Sequence, residues 1–211
     1  MKTLVLVPTK FEADLLRPWF RDHAIAAKVP LQVCGFGAVA SGICSTRLIA
    51  EHRPQRIILT GIAGALSHDL QIGAAYRFAK VGIYGVGAGH GDAFLSAQEL
   101  GWNQLATADG RPLIGDVLTL ENSPPAARGT LVTCCAASAN PTEANWRRNK
   151  FHDALAEDME GFSVAVACHL ANIPLEIIRG ISNIAGERDK KTWQIEPAIT
   201  TAANLVLERL P

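Results

Sequence analysis

The sequence predicts an α/β protein built around one central sheet, and three observations carry that prediction. Short β-branched apolar runs recur along the chain, bounded by proline, glycine or polar residues. Between them lie segments whose apolar residues fall at helical spacing. The 211 residues, 48% hydrophobic and 19% charged, suffice for one well-filled core, so residues 1–211 are expected to form a single domain. Strands that alternate with helices cover both faces of a sheet, which is the α/β arrangement.

The first strand is LVLVPT, residues 4–9, and a helix follows it through Phe11, Leu15, Leu16 and Phe20. LQVCGFG at 31–37 predicts a second strand, and 38–52 a helix with Val39, Ile43, Leu48 and Ile49 along one approximate face. RIILT at 56–60 is the third strand. AAYRFAKVGIYGVG reads as one or two strands ahead of an AGHGD loop, and 96–129 carries turn signals without a clear period. Order returns with TLVTCC at 130–135, a helix near 141–150, and an apolar helix from about Met159 to Ala171 that Asn172 and Pro174 end. LEIIRGIS at 175–182 is a strand, and Trp193 to Leu210 a closing helix.

Composition excludes several classes of function. Lys plus Arg and Asp plus Glu both total 20, so the basic surplus that a phosphate backbone demands is missing and nucleic acid is not an expected partner. No apolar run is long enough for a membrane span. The five cysteines form an odd set without a CxxC pair, as expected of small buried free thiols in a reducing compartment. LVLV before Pro8 is too short for a signal peptide, so a cytoplasmic location is expected. The six histidines show neither HExxH nor a Cys/His cluster, so no metal is expected, and no GxSxG elbow is present.

Candidate site residues lie where strands end, because open α/β sheets bind ligands at the carboxyl ends of their strands. Glu12 follows the first strand, where a solvated first-turn acid is the plainer alternative. Glu160 borders the apolar FSVAVACHLA, so its carboxylate needs a partner, either an arginine or a ligand. Ser182 and Asn183 arrive at the end of a buried strand, where an Asx turn would equally explain the asparagine. GFGAVA has the glycine spacing of a dinucleotide fingerprint, but the next strand ends in Thr60 and Gly61 where that fingerprint needs an acid. Its glycines are therefore read as serving a tight turn and close helix packing, and no cofactor is expected.

GFGAVASG, LTGIAGAL, DMEG and RGISN, in this order, resemble the purine nucleoside phosphorylase and nucleosidase superfamily over most of the chain. Within it, VPTKFEA, HGDAFLS, EDMEG and RGISNIAGERDKKTW resemble the futalosine hydrolase family most closely. The resemblance implies a three-layer α/β/α fold with a central mixed sheet. It also implies hydrolysis of the N-glycosidic bond of a 6-oxopurine nucleoside, with hypoxanthine released from futalosine in menaquinone biosynthesis.

By the same resemblance Glu12 is the general base, Glu160 accepts from the ribose hydroxyls, and Met159 packs beneath the sugar. Asn183 holds N7 and the 6-oxo group, where adenine-releasing nucleosidases carry aspartate. Ile62, Ala63, Gly64, Ser182, Arg188 and Trp193 complete the substrate site. Ile62 stands where those nucleosidases carry serine. Arg188 is expected either to meet the substrate's carboxylate or to pair locally with Asp189. A small nucleoside is the expected partner, with a homodimer or larger assembly in which a neighbour's loop completes the pocket near AGHGDAF. A methylthioadenosine-type nucleosidase, a phosphorylase and a non-catalytic nucleoside-binding protein are the rival readings. Phosphorolysis is disfavoured by PTKFEA, since Glu12 would repel phosphate.

Overall fold

Thr3 to Val7, buried throughout, form β1 (Thr3–Val7), an apolar run of the kind a strand covered on both faces by helices requires. The computed structural model describes residues 2–120 and 125–210. Thr9 caps α1 (Lys10–Arg21), β2 (Leu31–Val33) follows, and the turn through Gly35 and Gly37 starts α2 (Gly37–His52). Then come β3 (Arg56–Ala65) and β4 (Ala75–Tyr84). Two short hairpins join β5 (Gly87–Ala88) to β6 (Leu95–Ser96) and β7 (Leu105–Ala106) to β8 (Pro112–Ile114). The chain continues through β9 (Val117–Thr119), β10 (Arg128–Cys134), α3 (Pro141–Lys150) and β11 (Ala154–Asp158). It closes with α4 (Gly161–Leu170), β12 (Leu175–Ile184) and α5 (Ile195–Leu207).

Eight strands form one mixed sheet in the order β11-β10-β4-β12-β3-β1-β2, with β9 antiparallel to β4. The sheet also meets itself, because the end of β3 pairs antiparallel with β11 through Ala65–Ala156 and Gly64–Glu157. Alternation along the strands divides the core. Leu4, Leu6, Ile57, Leu59 and Ile177 pack with Phe162 and Val164 of α4. Val5, Ile58 and Ile178 pack with Phe20 of α1 and with Ala202 and Val206 of α5.

The observed elements refine the sequence reading at definite places. RIILT continues five residues further, because Gly61 takes φ +143° and lets the strand run on as GIAGA. The sequence reading did not anticipate β11, whose ALAED has no β-branched residue and ends in two acids. The second strand ends at Val33, not residue 37, since Gly35 and Gly37 at φ +99° and +80° form a turn. The loosely patterned 96–129 segment holds the β7–β8 hairpin and β9, and its residues 121–124 lie outside the described residues.

Two expectations about burial are corrected. Val39 and Ile43 are 78% and 68% exposed, whereas Ser41, Ser45 and Leu48 face inward. Small residues win there because α2 packs closely on α4, with Gly42 against Ser163. Cys34, Cys134 and Cys168 are buried and Cys44 is partly so, but Cys135 is exposed, on the loop that leaves β10. All five cysteines are free thiols.

Candidate active site

The carboxyl ends of β1, β3 and β12 and the start of α4 surround a cavity of about 620 Å³. Glu12, Glu160, Asn183, Met159, Ile62, Ala63, Gly64, Ser182, Arg188 and Trp193, the ten residues singled out in the sequence, all line it. Phe11 and Phe36, 59% and 65% exposed, stand at its mouth.

Glu12 enters the cavity because it is the third residue of α1, and the helix cap fixes its carboxylate. Thr9 and Glu12 form a capping box in which the Thr9 side chain accepts from the Glu12 N–H and the Glu12 side chain accepts from the Thr9 N–H. The Thr9 hydroxyl donates to Glu12 Oε2 at 2.5 Å, and the Ile62 N–H donates to Oε1 at 3.0 Å. Glu12 is thus a first-turn acid, but only 4% exposed rather than solvated. Ile62 contributes its backbone here.

Glu160 stands at the N-cap position of α4, and its side chain, which makes no capping bond, is held on both oxygens from elsewhere. Oε1 accepts from the Gly37 N–H at the start of α2, at 3.0 Å, and Oε2 lies 3.5 Å from Arg179 Nη2. Arg179 is fully buried, so the arginine partner and the cavity-lining position, posed as alternatives, are both realised. Its stronger bond goes to Asp158 at 2.5 Å, and Nη1 donates to Thr60 O at 3.2 Å. Asp158 also accepts from Thr133 Oγ1 and the Gly161 N–H. Burial and the neighbouring Asp158 charge push the Glu160 carboxyl up to about 7, against the pull of Arg179 and the Gly37 N–H. Gly61 is obligatory beneath these groups, because a Cβ there would lie 2.6 Å from both Arg179 Nη1 and Glu12 Oε1.

Asn183 reaches the cavity through a register shift in β12 between Ile181 and Asn183, which turns its side chain inward. It forms no Asx turn. Its Oδ1 accepts from Ser182 Oγ at 2.8 Å and its Nδ2 donates to Ile184 O at 2.8 Å. One lone pair and one N–H remain for a ligand. Arg188 lies over the Trp193 ring at 5.7 Å rather than pairing with Asp189, which instead accepts from the Lys191 N–H. Trp193 Nε1 donates to Glu187 O, so the ring is anchored.

Sequence reasoning missed Arg179, Asp158, Thr9 and the Ser138–Glu157 pair, whose residues also line or support the cavity. One signal was available: a lone arginine in LEIIRGIS must be paired once that run is a buried strand. Among the described residues no group of three or more His, Cys, Asp and Glu could hold a metal ion.

Topology and cavity together define an α/β protein with an acid-lined small-molecule site where its parallel strands end. The chain belongs to the phosphorylase superfamily, whose profile matches residues 24–210. It is 26% identical over 203 residues to futalosine hydrolase from Streptomyces coelicolor, covering 94% of this chain and 85% of that protein. Over 191 residues it is 27% identical to the 5′-methylthioadenosine/S-adenosylhomocysteine nucleosidase of Bacillus subtilis, covering 86% and 80%. Its fold matches that of the Neisseria meningitidis nucleosidase solved with methylthio-immucillin-A, with a TM-score of 0.77 and 20% identity over 99% and 98% of the two chains. The expected central mixed sheet under helices is therefore the fold of this family.

Proposed function

We propose that residues 1–211 act as one domain that hydrolyses the N-glycosidic bond of a 6-oxopurine nucleoside, futalosine, releasing hypoxanthine as a step of menaquinone biosynthesis. Breaking this bond leaves an oxocarbenium-like sugar, and each requirement of that transition state has a candidate group. Glu12 takes a proton from water as its oxygen bonds to the anomeric carbon. Glu160 accepts from the ribose hydroxyls, and Met159 packs beneath the ring. The departing base takes the bonding electron pair and a proton from solvent, and Asn183 holds it by accepting from N7–H and donating to O6. A negative site suits water better than phosphate, which favours hydrolysis over phosphorolysis.

The observation that carries the 6-oxopurine reading is Asn183. Its amide is pinned by Ser182 and Ile184, which leaves one acceptor and one donor on the cavity side. Arg188 and Trp193 at the mouth suit a substrate whose far end carries an aromatic carboxylate. The second reading, an adenine-releasing nucleosidase, is favoured by the 27% identity to the Bacillus subtilis enzyme.

One assay separates these readings: incubate the protein with futalosine, inosine and methylthioadenosine, with and without phosphate, and identify the base released. Hypoxanthine from futalosine is expected at a rate independent of phosphate and above that with inosine, which lacks the anionic tail. Adenine as the main product overturns the substrate assignment, ribose 1-phosphate overturns hydrolysis, and no base from any substrate leaves a binding protein. Asn183→Asp is expected to move the preference toward adenine by about 1–3 kcal/mol in transition-state energy. Unchanged relative kcat/KM values would remove Asn183 from base selection.

We place the protein in the cytoplasm as a homodimer. The exposed Val39 and Ile43 of α2, with Leu170 of α4 and Val86, line an open apolar groove of about 580 Å³, the kind of face a second copy covers. A monomeric mass in sedimentation at micromolar concentration would exclude this assembly.

A further inference from the structure

We propose that Thr9 is a positioning residue for Glu12, its hydroxyl setting the direction in which the carboxylate faces the cavity. This deepens the hydrolase reading and rests on it only for its kinetic part. Among the described residues, three donors hold the Glu12 carboxylate: the Ile62 N–H, the Thr9 N–H and the Thr9 hydroxyl. Two of them are backbone groups. The Thr9 hydroxyl is the only side-chain donor, and at 2.5 Å it makes the shortest of the three bonds.

Its direction is not arbitrary. Thr9 Oγ1 accepts from the Glu12 N–H at 3.2 Å, so its single proton is free to point at Glu12 Oε2. A capping box needs only the two backbone bonds of this arrangement. The hydroxyl–carboxylate bond is additional, and it is charge-assisted, hence strong for its size. Without the hydroxyl, Glu12 Oε2 keeps only the 3.2 Å bond from the Thr9 N–H, and the carboxylate can turn about its last torsions within the cavity. A general base acts only when its lone pair meets the attacking water, so removing the tether lowers the productive fraction without removing the base. Thr9 also lines the cavity beside Glu12, and direct contact with substrate is the alternative role.

Three variants separate tethering from helix capping and from substrate contact. Thr9→Ser keeps hydroxyl and cap. Thr9→Gly loses the hydroxyl but remains an acceptable cap, whereas Thr9→Val loses both. Thr9→Ser is expected within about twofold of the parent in kcat. Thr9→Gly and Thr9→Val are expected to fall about 10- to 100-fold in kcat with KM within about threefold, and Thr9→Val should lose more thermal stability than Thr9→Gly because it gives up the cap as well as the hydroxyl bond. Crystal structures of the same variants read the positioning whatever reaction the site performs. The Glu12 carboxylate should keep its place in Thr9→Ser and be displaced or split over conformers in Thr9→Gly and Thr9→Val. An unmoved carboxylate in Thr9→Gly overturns the proposal, as does a folded Thr9→Gly with parental kcat, or a KM that rises in step with the loss. A parent protein that releases no base from any nucleoside defeats the hydrolase reading alone, and the crystallographic comparison still decides the role of Thr9.

Discussion

Glu12→Gln is expected to cut base release by about 10²- to 10⁴-fold, the range that loss of a positioned general base produces. The substitution keeps the shape of the side chain and removes its ability to take a proton from water. It also acts on the fold. The carboxylate receives the Ile62 N–H on one oxygen and the Thr9 N–H and hydroxyl on the other. An amide can offer an acceptor to only one side, and its NH₂ then faces a backbone donor on the other. The Thr9 hydroxyl can rotate to accept, but neither backbone N–H can. The variant should therefore remain folded and lose roughly 1–2 kcal/mol, the cost of one unmade bond to a buried donor. Steady-state base release and thermal unfolding check the two parts separately. A rate within a few-fold of the parent would remove Glu12 from the mechanism.

Most of the architecture was legible in the sequence because buried parallel strands announce themselves. LVLV, the IIL of RIILT and the paired isoleucine of LEIIRGIS put apolar residues on both faces, and each run lies within a strand of the main sheet. The helix expected near 141–150 is α3, which Asn140 caps and Pro141 opens. What escaped was set by tertiary pairing. ALAED forms β11 only because β10 and β3 lie on either side of it. The outward turn of Val39 and Ile43 reflects how closely α2 and α4 approach, which one helix's periodicity cannot report. In the site, residues at strand ends were legible from position. For Arg179 only the need for a partner was legible and for Asp158 nothing was, since their pairing joins two strands that are distant in sequence. The bulge at Ile181/Asn183 likewise decides which way Asn183 faces, and nothing in RGISN marks it.

Glu160→Gln is expected to show opposite effects on turnover and stability. The carboxyl group is raised from 4.5 to about 7, by burial first and by the charge of Asp158 second. A carboxyl whose folded value lies above its unfolded value holds its proton more tightly in the folded chain. Its ionisation therefore weakens the fold: the penalty is absent below about pH 4.5, grows as pH rises, and is complete once pH passes about 7. Glutamine carries no such penalty. Thermal or denaturant unfolding should find Glu160→Gln more stable than the parent at pH 8, by about 1–3 kcal/mol, and the gap should close toward pH 4.5. Turnover should move the other way, falling by about 10²- to 10³-fold, because a carboxylate that accepts from two ribose hydroxyls stabilises positive charge on the sugar as an amide cannot. Since only the ionised form can do this, kcat/KM of the parent should drop as pH falls through about 7. Arg179 holds Asp158 at 2.5 Å but Glu160 only at 3.5 Å, and Asp158 also takes the Gly161 N–H, so Glu160 is the more loosely held of the two carboxylates and the one able to turn toward a ligand. A variant no more stable than the parent at pH 8, or one with near-normal turnover, would make Glu160 a structural member of the Arg179 cluster and leave the ribose without its acceptor.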